Sequence, residues 1–257
     1  MPIEFSTEEG IATIVFNRPE RLNAFDPADY AALSKAFVMV RDNPAIRVAI
    51  VTGAGGKSFS VGADLKAPMP RLDDLTELLL TQKNQLPNRG MEVWKPIVAA
   101  VNGYCLGGGM CLLLSADIRI AAEHATFGLP EVKRGGVPGN GATQRVLQQL
   151  PYPIAMELLL TGESIDAKTA ARWGLVNKVV AQSELMASAQ HYARQIAANA
   201  PLAVQATKEL AVRSRDVDLA TGLRLEQGIQ ALINRSHDWK EGGEAFAQKR
   251  KARFEGR

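Results

Sequence analysis

Residues 97–117, IVAAVNGYCLGGGMCLLLSAD, decide how this chain is to be read. A β-branched apolar run gives way to a second apolar run of helical length, and Gly107, Gly108 and Gly109 fill the junction. A strand entering a helix through glycines leaves the first turn of that helix bare of side chains. Such a start exposes unpaired N–H groups and the positive end of the macrodipole, and glycine lets another molecule approach them closely. The junction is suited to negative charge, either a phosphate or a transient oxyanion.

The surrounding residues argue against a phosphate cradle. A P-loop carries a further glycine ahead of its Gly-Lys-Ser/Thr, and for Gly56-Lys57-Ser58 the corresponding residue is Val51. A dinucleotide fingerprint needs spaced glycines in the first turn after a strand, with an acidic residue further on, and the packed triplet lacks that spacing. An oxyanion site is the better reading.

Outward from the triplet, short β-branched runs alternate with helical patterns. Residues 11–16, 48–52, 97–102 and 117–121 read as strands. Asp26-Pro27 opens a helix with Tyr30, Leu33, Phe37 and Val40 on one face. From Gly139 onward the pattern turns helical: residues 142–150, 154–160 and 167–173, an apolar run at 175–180, then amphipathic segments at 184–197, 202–212, 219–234 and 237–252. The expected class is α/β, with a core over residues 1–200 and, over 201–257, helices that cap the core or meet another subunit. Residues 68–90 carry helical spacing of leucines between prolines, as a wall beside a ligand would.

Composition narrows the function. The 257 residues are 46% hydrophobic and 22% charged, ordinary for a globular enzyme, and the net charge of +3 is spread too thinly to suggest nucleic-acid binding. No leader pattern opens the chain and no apolar run approaches the roughly 18 residues of a membrane span, so a cytoplasmic location is expected. Cys105 and Cys111 have no histidine nearby to complete a metal site, and read as two buried thiols.

Several blocks together resemble the enoyl-CoA hydratase/isomerase, or crotonase, superfamily. They are Arg21-Leu22-Asn23-Ala24, Phe59 through Gly62-Ala63-Asp64-Leu65, Lys95-Pro96 through Asn102-Gly103-Tyr104 to the glycine triplet, and Phe127-Gly128-Leu129-Pro130-Glu131 continuing to Pro138-Gly139 and Thr143-Gln144-Arg145. The resemblance runs almost end to end. It implies a spiral of β-β-α units followed by helices that form a homotrimer or a hexamer. It also implies an acyl-CoA thioester as substrate, with coenzyme A arriving as part of that substrate and no separate cofactor or metal. The oxyanion donors would be the backbone N–H groups of Ala63 and Gly108. Arg21, Asn23, Ala24, Ala63, Asp64, Leu65, Gly107, Gly108 and Lys249 would line the thioester and nucleotide.

One position departs from the family pattern. Hydratases of the family use two glutamates to hold a water, and here the second is Glu131 while Cys111 stands at the first. A thiol with a reference pKa of about 8.5 is mostly protonated at neutral pH and makes a poor water acceptor. A single base suffices to move a proton along an enolised acyl chain, so the resemblance implies isomerisation of a 3-enoyl to a 2-enoyl thioester with Glu131 as base. Weak hydration, decarboxylation or thioester hydrolysis on the same scaffold, and a non-catalytic acyl-CoA-binding protein, are the other readings.

Overall fold

The apolar runs form the middle of a six-stranded sheet. β1 (Ile3–Glu8) pairs antiparallel with β2 (Ile11–Phe16). β3 (Val48–Gly53), β5 (Ile97–Val101), β7 (Ile118–Ala122) and β10 (Lys178–Val180) then follow in parallel, giving the order β1-β2-β3-β5-β7-β10. The computed structural model describes residues 1–67 and 85–257. Every residue of β3 and β5 is buried, as a parallel strand covered on both faces requires. Each buried Val or Ile contributes about 1.5–3 kcal/mol.

A second, four-stranded sheet is made of β4 (Ser58–Ser60), β6 (Tyr104–Leu106), β8 (Thr126–Gly128) and β9 (Ile165–Asp166). β3 leads into β4, β5 into β6 and β7 into β8, so the chain repeatedly leaves one sheet for the other. This is the β-β-α spiral that the resemblance implies. α1 (Pro27–Asp42) and α2 (Gly108–Leu113) pack into the principal core, while α6 (Leu185–Ala197), which follows α3 (Ala142–Gln149), α4 (Tyr152–Thr161) and α5 (Ala167–Arg172), covers the outer face of the large sheet.

α1 shows how sequence sets the local structure. Asp26 accepts a hydrogen bond from the Asp29 N–H, the Asp29 side chain accepts one back from the Asp26 N–H, and Pro27 follows the cap. Leu33, Phe37 and Val40 bury the predicted face. Tyr30 shares that face but is only half-buried.

The last segment forms α7 (Pro201–Arg213), α8 (Leu219–Ile233) and α9 (His237–Ala247). Neither α7 nor α8 buries a residue, and Leu219, Leu223, Leu232, Trp239 and Phe246 remain exposed. α9 ends at Ala247, short of the predicted 252, because Lys249 turns to φ 54° and the Arg250 N–H closes back on Ala245 O at 3.0 Å. The tail beyond folds back onto the core: Arg47 donates to Phe254 O at 2.6 Å and to Ala197 O at 2.8 Å. Among the described residues no helix is long and apolar enough to cross a membrane. Of the wall expected at 68–90, residues 68–84 lie outside the described part of the chain.

Candidate active site

The loop after β4 and the start of α2 meet edge to edge. Gly62 has φ +85°, a conformation that favours glycine. A β-carbon placed there would collide with the backbone nitrogen of Gly108. The two segments therefore touch backbone to backbone, which brings the N–H groups of Ala63 and Gly108 to one spot. Among the described residues neither amide donates a hydrogen bond within the protein. Gly109 serves packing instead, since a β-carbon on it would strike the carbonyl of Ser60. The triplet thus combines a free amide at Gly108 with close helix-strand contact at Gly109.

The Ala63 loop is clamped from both sides. Phe25 N–H donates to Gly62 O at 2.7 Å and Asp64 N–H donates to Phe25 O at 2.8 Å, leaving only the Ala63 amide between them free. Arg18 gathers three carboxylates, bonding Asp29 at 2.6 Å, Asp64 at 3.2 Å and Asp26 at 3.3 Å. It ties this loop to the cap of α1. The Lys66 N–H, then Arg18, hold the Asp64 carboxyl below its ordinary value. Asp64 is thereby tied into the loop through Arg18 and the Lys66 N–H.

Glu131 sits in a short 3-10 turn, Pro130–Arg134. Its Oε1 lies 3.4 Å from where a β-carbon on Gly107 would stand, so the carboxylate borders the oxyanion spot. Oε2 is buried without a hydrogen-bond partner. Lys133, the neighbour best placed to neutralise a surface glutamate, pairs instead with Glu163 at 2.6 Å. Burial lifts the Glu131 carboxyl above its ordinary value, with its own backbone N–H and Arg134 pulling the other way. An unpartnered buried carboxylate oxygen beside two free amides is what a proton-transfer site needs.

Cys111 lies in α2, buried, with its thiol donating to Gly139 O at 3.4 Å. Burial first, then the nearby Glu131 charge, pushes the thiol up to about 12. It is therefore a neutral group at neutral pH. Cys105 is also a free, buried thiol. Arg145 donates to Asn88 O at 3.0 Å and Asn140 O at 3.1 Å, and supplies the nearest positive influence on Cys111.

With that geometry in view, the chain matches the enoyl-CoA hydratase/isomerase family model over residues 6–257. The chain belongs to the enoyl-CoA hydratase/isomerase family. It is 42% identical to (E)-benzylidenesuccinyl-CoA hydratase from Thauera aromatica, covering 100% of both chains, and 40% identical to carnitinyl-CoA dehydratase from Salmonella typhi, covering 96% and 95%. The crystal structure of an enoyl-CoA hydratase from Bacillus anthracis superimposes with a TM-score of 0.91 at 34% identity over 100% of both chains. An enoyl-CoA hydratase from Mycobacterium marinum gives 0.91 at 38%, covering 100% and 99%. The protein is thus an enzyme of this family, and an acyl-CoA thioester is its implied substrate.

The residues expected to line the nucleotide differ in their exposure. Asn23 is buried and acts as a bracket: its Nδ2 donates to Ser58 O at 2.7 Å and Ala54 O at 3.1 Å, and its Oδ1 accepts from Arg18 N at 3.0 Å. Ala24 is buried beside it, while Arg21 and Leu65 are exposed. Lys249 is exposed after α9, and among the described residues no hydrogen bond or ion pair joins it to Ala63, Gly108 or Glu131. Two cavities, of about 800 and 780 Å³, are lined by none of Ala63, Gly108, Cys111 and Glu131.

Two residues near the centre gave no functional signal in the sequence. Tyr30 reads as one more core position of α1, yet its hydroxyl lies 3.1 Å from the β-carbon position of Gly108. Arg119 is buried in β7 and donates to the carbonyls of Ala116 at 3.0 Å and Leu114 at 3.3 Å, and to Gln149 at 2.7 Å. It holds the C-terminal end of α2, whose first turn carries Gly108. Its guanidinium, lowered to about 10 by burial, rests on carbonyl and amide oxygens.

Proposed function

We propose that this enzyme moves the α-proton of an acyl-CoA thioester with Glu131 as its one catalytic carboxylate, and that its principal reaction is isomerisation of a 3-enoyl to a 2-enoyl thioester. The thioester oxygen would accept from the N–H groups of Ala63 and Gly108. Glu131 would take a proton from the α-carbon as electrons pass to that oxygen, then return the proton to the γ-carbon as the enolate collapses. Positioned donors of this kind are worth about 2.7–4 kcal/mol each in the transition state.

The neutral Cys111 thiol carries the preference for isomerisation. It donates a hydrogen bond to Gly139 O and stays protonated, so position 111 supplies no second carboxylate beside Glu131 to activate water. A second reading is supported by the relatives named hydratase and dehydratase. In it, Glu131 alone would serve both ends of a syn addition of water, one oxygen accepting the water proton while the other delivers the α-proton. Incubation with 2-enoyl, 3-enoyl and 3-hydroxyacyl thioesters in D2O, followed by mass spectrometry, separates the two. Deuterated 2-enoyl product from the 3-enoyl substrate, with little 3-hydroxyacyl product, supports isomerisation. Fast water addition to the 2-enoyl thioester overturns it.

The exposed apolar residues of α8 and α9 support a homotrimer or a dimer of trimers, in which those faces would be covered.

A further inference from the structure

Tyr30 stands one turn into α1, and both ends of its side chain are placed by the elements that build the oxyanion pocket. Its ring packs on Phe25 at 5.3 Å between centroids, and Phe25 is the residue whose backbone clamps Ala63. The Arg89 guanidinium lies over the ring, 5.4 Å from its centroid. At the far end, the hydroxyl is 3.1 Å from the β-carbon position of Gly108, a point that is itself 3.6 Å from the Ala63 nitrogen. The phenol oxygen thus borders the same small volume as the two free amides. Among the described residues it makes no hydrogen bond.

From this arrangement we infer that the Tyr30 hydroxyl is a third hydrogen-bond donor to the thioester oxygen, joining the amides of Ala63 and Gly108 as negative charge builds there. The inference rests on the reading of the site as an enolising acyl-CoA centre. A phenol is a stronger donor than an amide and keeps its proton throughout: Glu131 takes the α-proton, the carbonyl electrons move to oxygen, and Tyr30 only shares its hydrogen. Burial pushes the phenol up to about 12, so it stays protonated at working pH even with Arg89 pulling it down. With Cys111 in place of a carboxylate, a donor at position 30 also meets no acceptor at position 111 to divert it.

Tyr30→Phe removes the hydroxyl and keeps the ring between Phe25 and Arg89, which separates donation from packing. Two readouts apply. One is the carbonyl stretch of bound 3-phenyl-2-propenoyl-CoA, which reports polarisation without turnover. The other is α-proton exchange of butanoyl-CoA in D2O, which needs enolisation alone. The wild type is expected to lower the carbonyl frequency, and Tyr30→Phe to give back part of that shift and exchange about 10²-fold more slowly at saturating thioester. Tyr30→Leu should match Phe in the carbonyl band even where it loses thermal stability. Unchanged frequency and exchange in Tyr30→Phe would overturn the role of the hydroxyl while leaving the enolising centre intact. A wild type that neither shifts the band nor exchanges the proton would overturn the enolising centre, and this assignment with it.

Discussion

Cys111→Glu tests the account of this site most severely. The position is 1% exposed, and the wild-type thiol is packed against Gly139 O, so a longer side chain must displace its surroundings. Overpacking of that kind costs about 1–3 kcal/mol, which for a chain of this size lowers Tm by roughly 2–4 °C per kcal/mol. The new carboxyl would face Glu131 as a like charge and Arg145 as the nearest cation. Two unit charges about 4 Å apart in an effective dielectric of about 20 repel by about 4 kcal/mol, so the pair is expected to hold one shared proton near neutral pH, as two crowded carboxyls do. That is the arrangement in which one group accepts from water while the other gives a proton to carbon. Water addition to a short 2-enoyl-CoA, followed by loss of the conjugated thioester absorbance, should rise by about 10² or more, while binding of a saturated acyl-CoA stays similar. A variant that folds, binds thioester and hydrates no faster than wild type would refute the idea that position 111 limits hydration.

Glu131→Gln should keep thioester binding and lose about 10²–10⁴ in turnover; near-normal turnover would assign the base elsewhere. Because burial lifts the Glu131 carboxyl, its carboxylate form, and with it activity, should fail on acidification above the ordinary carboxylate range, as a pH-rate profile would show. The same lift means the native state binds that proton more tightly than the unfolded chain, so stability falls as pH rises through the two values. Glu131→Gln should therefore raise Tm at neutral pH, measured by calorimetry. In Gly108→Ala the added methyl would stand 3.1 Å from Gly62 Cα and 3.6 Å from Ala63 N, inside the pocket; turnover should fall by about 10²–10³ with the fold retained, and an active variant would count against the donor assignment. Light scattering should show a trimer or hexamer, and a monomer at micromolar concentration would argue against the role given to α8 and α9.

The central strands and the main helices were legible because their signals are periodic and local. Val48 to Thr52 and Ile97 to Val101 are unbroken apolar runs, and Asp26-Pro27 with Asp29 writes its own cap. The second sheet was not legible, since β4, β6 and β8 are three residues each and β9 two, and their pairing is set by the spiral rather than by their own sequence. β1 was missed for another reason: only Ile3 of its six residues is buried, so it shows little apolar pattern, and its tight turn at Glu9 and Gly10 rests on positive φ at both. In the site, Glu131, Ala63 and Gly108 were reached through their motif blocks. Tyr30 and Arg119 were not, because a tyrosine on an apolar helix face and an arginine in a buried strand acquire meaning only from the groups the tertiary fold places opposite them.

The clamp of Phe25 on Gly62 and Asp64, with the glycine contact against α2, fixes the reactive amides through the path of the main chain. No substitution at position 63 or 108, proline apart, deletes an amide hydrogen, so on the proposed reading the amide pair is inherited with the scaffold, whereas the base at 131 and the hydroxyl at 30 can each be lost by one substitution. Drift at position 111, which takes no part in forming the enolate, would redirect its fate without dismantling its formation. A lineage built this way can explore new reactions from that position while still holding its substrate, and a directed-evolution library confined to position 111 should yield altered products more often than inactive enzyme.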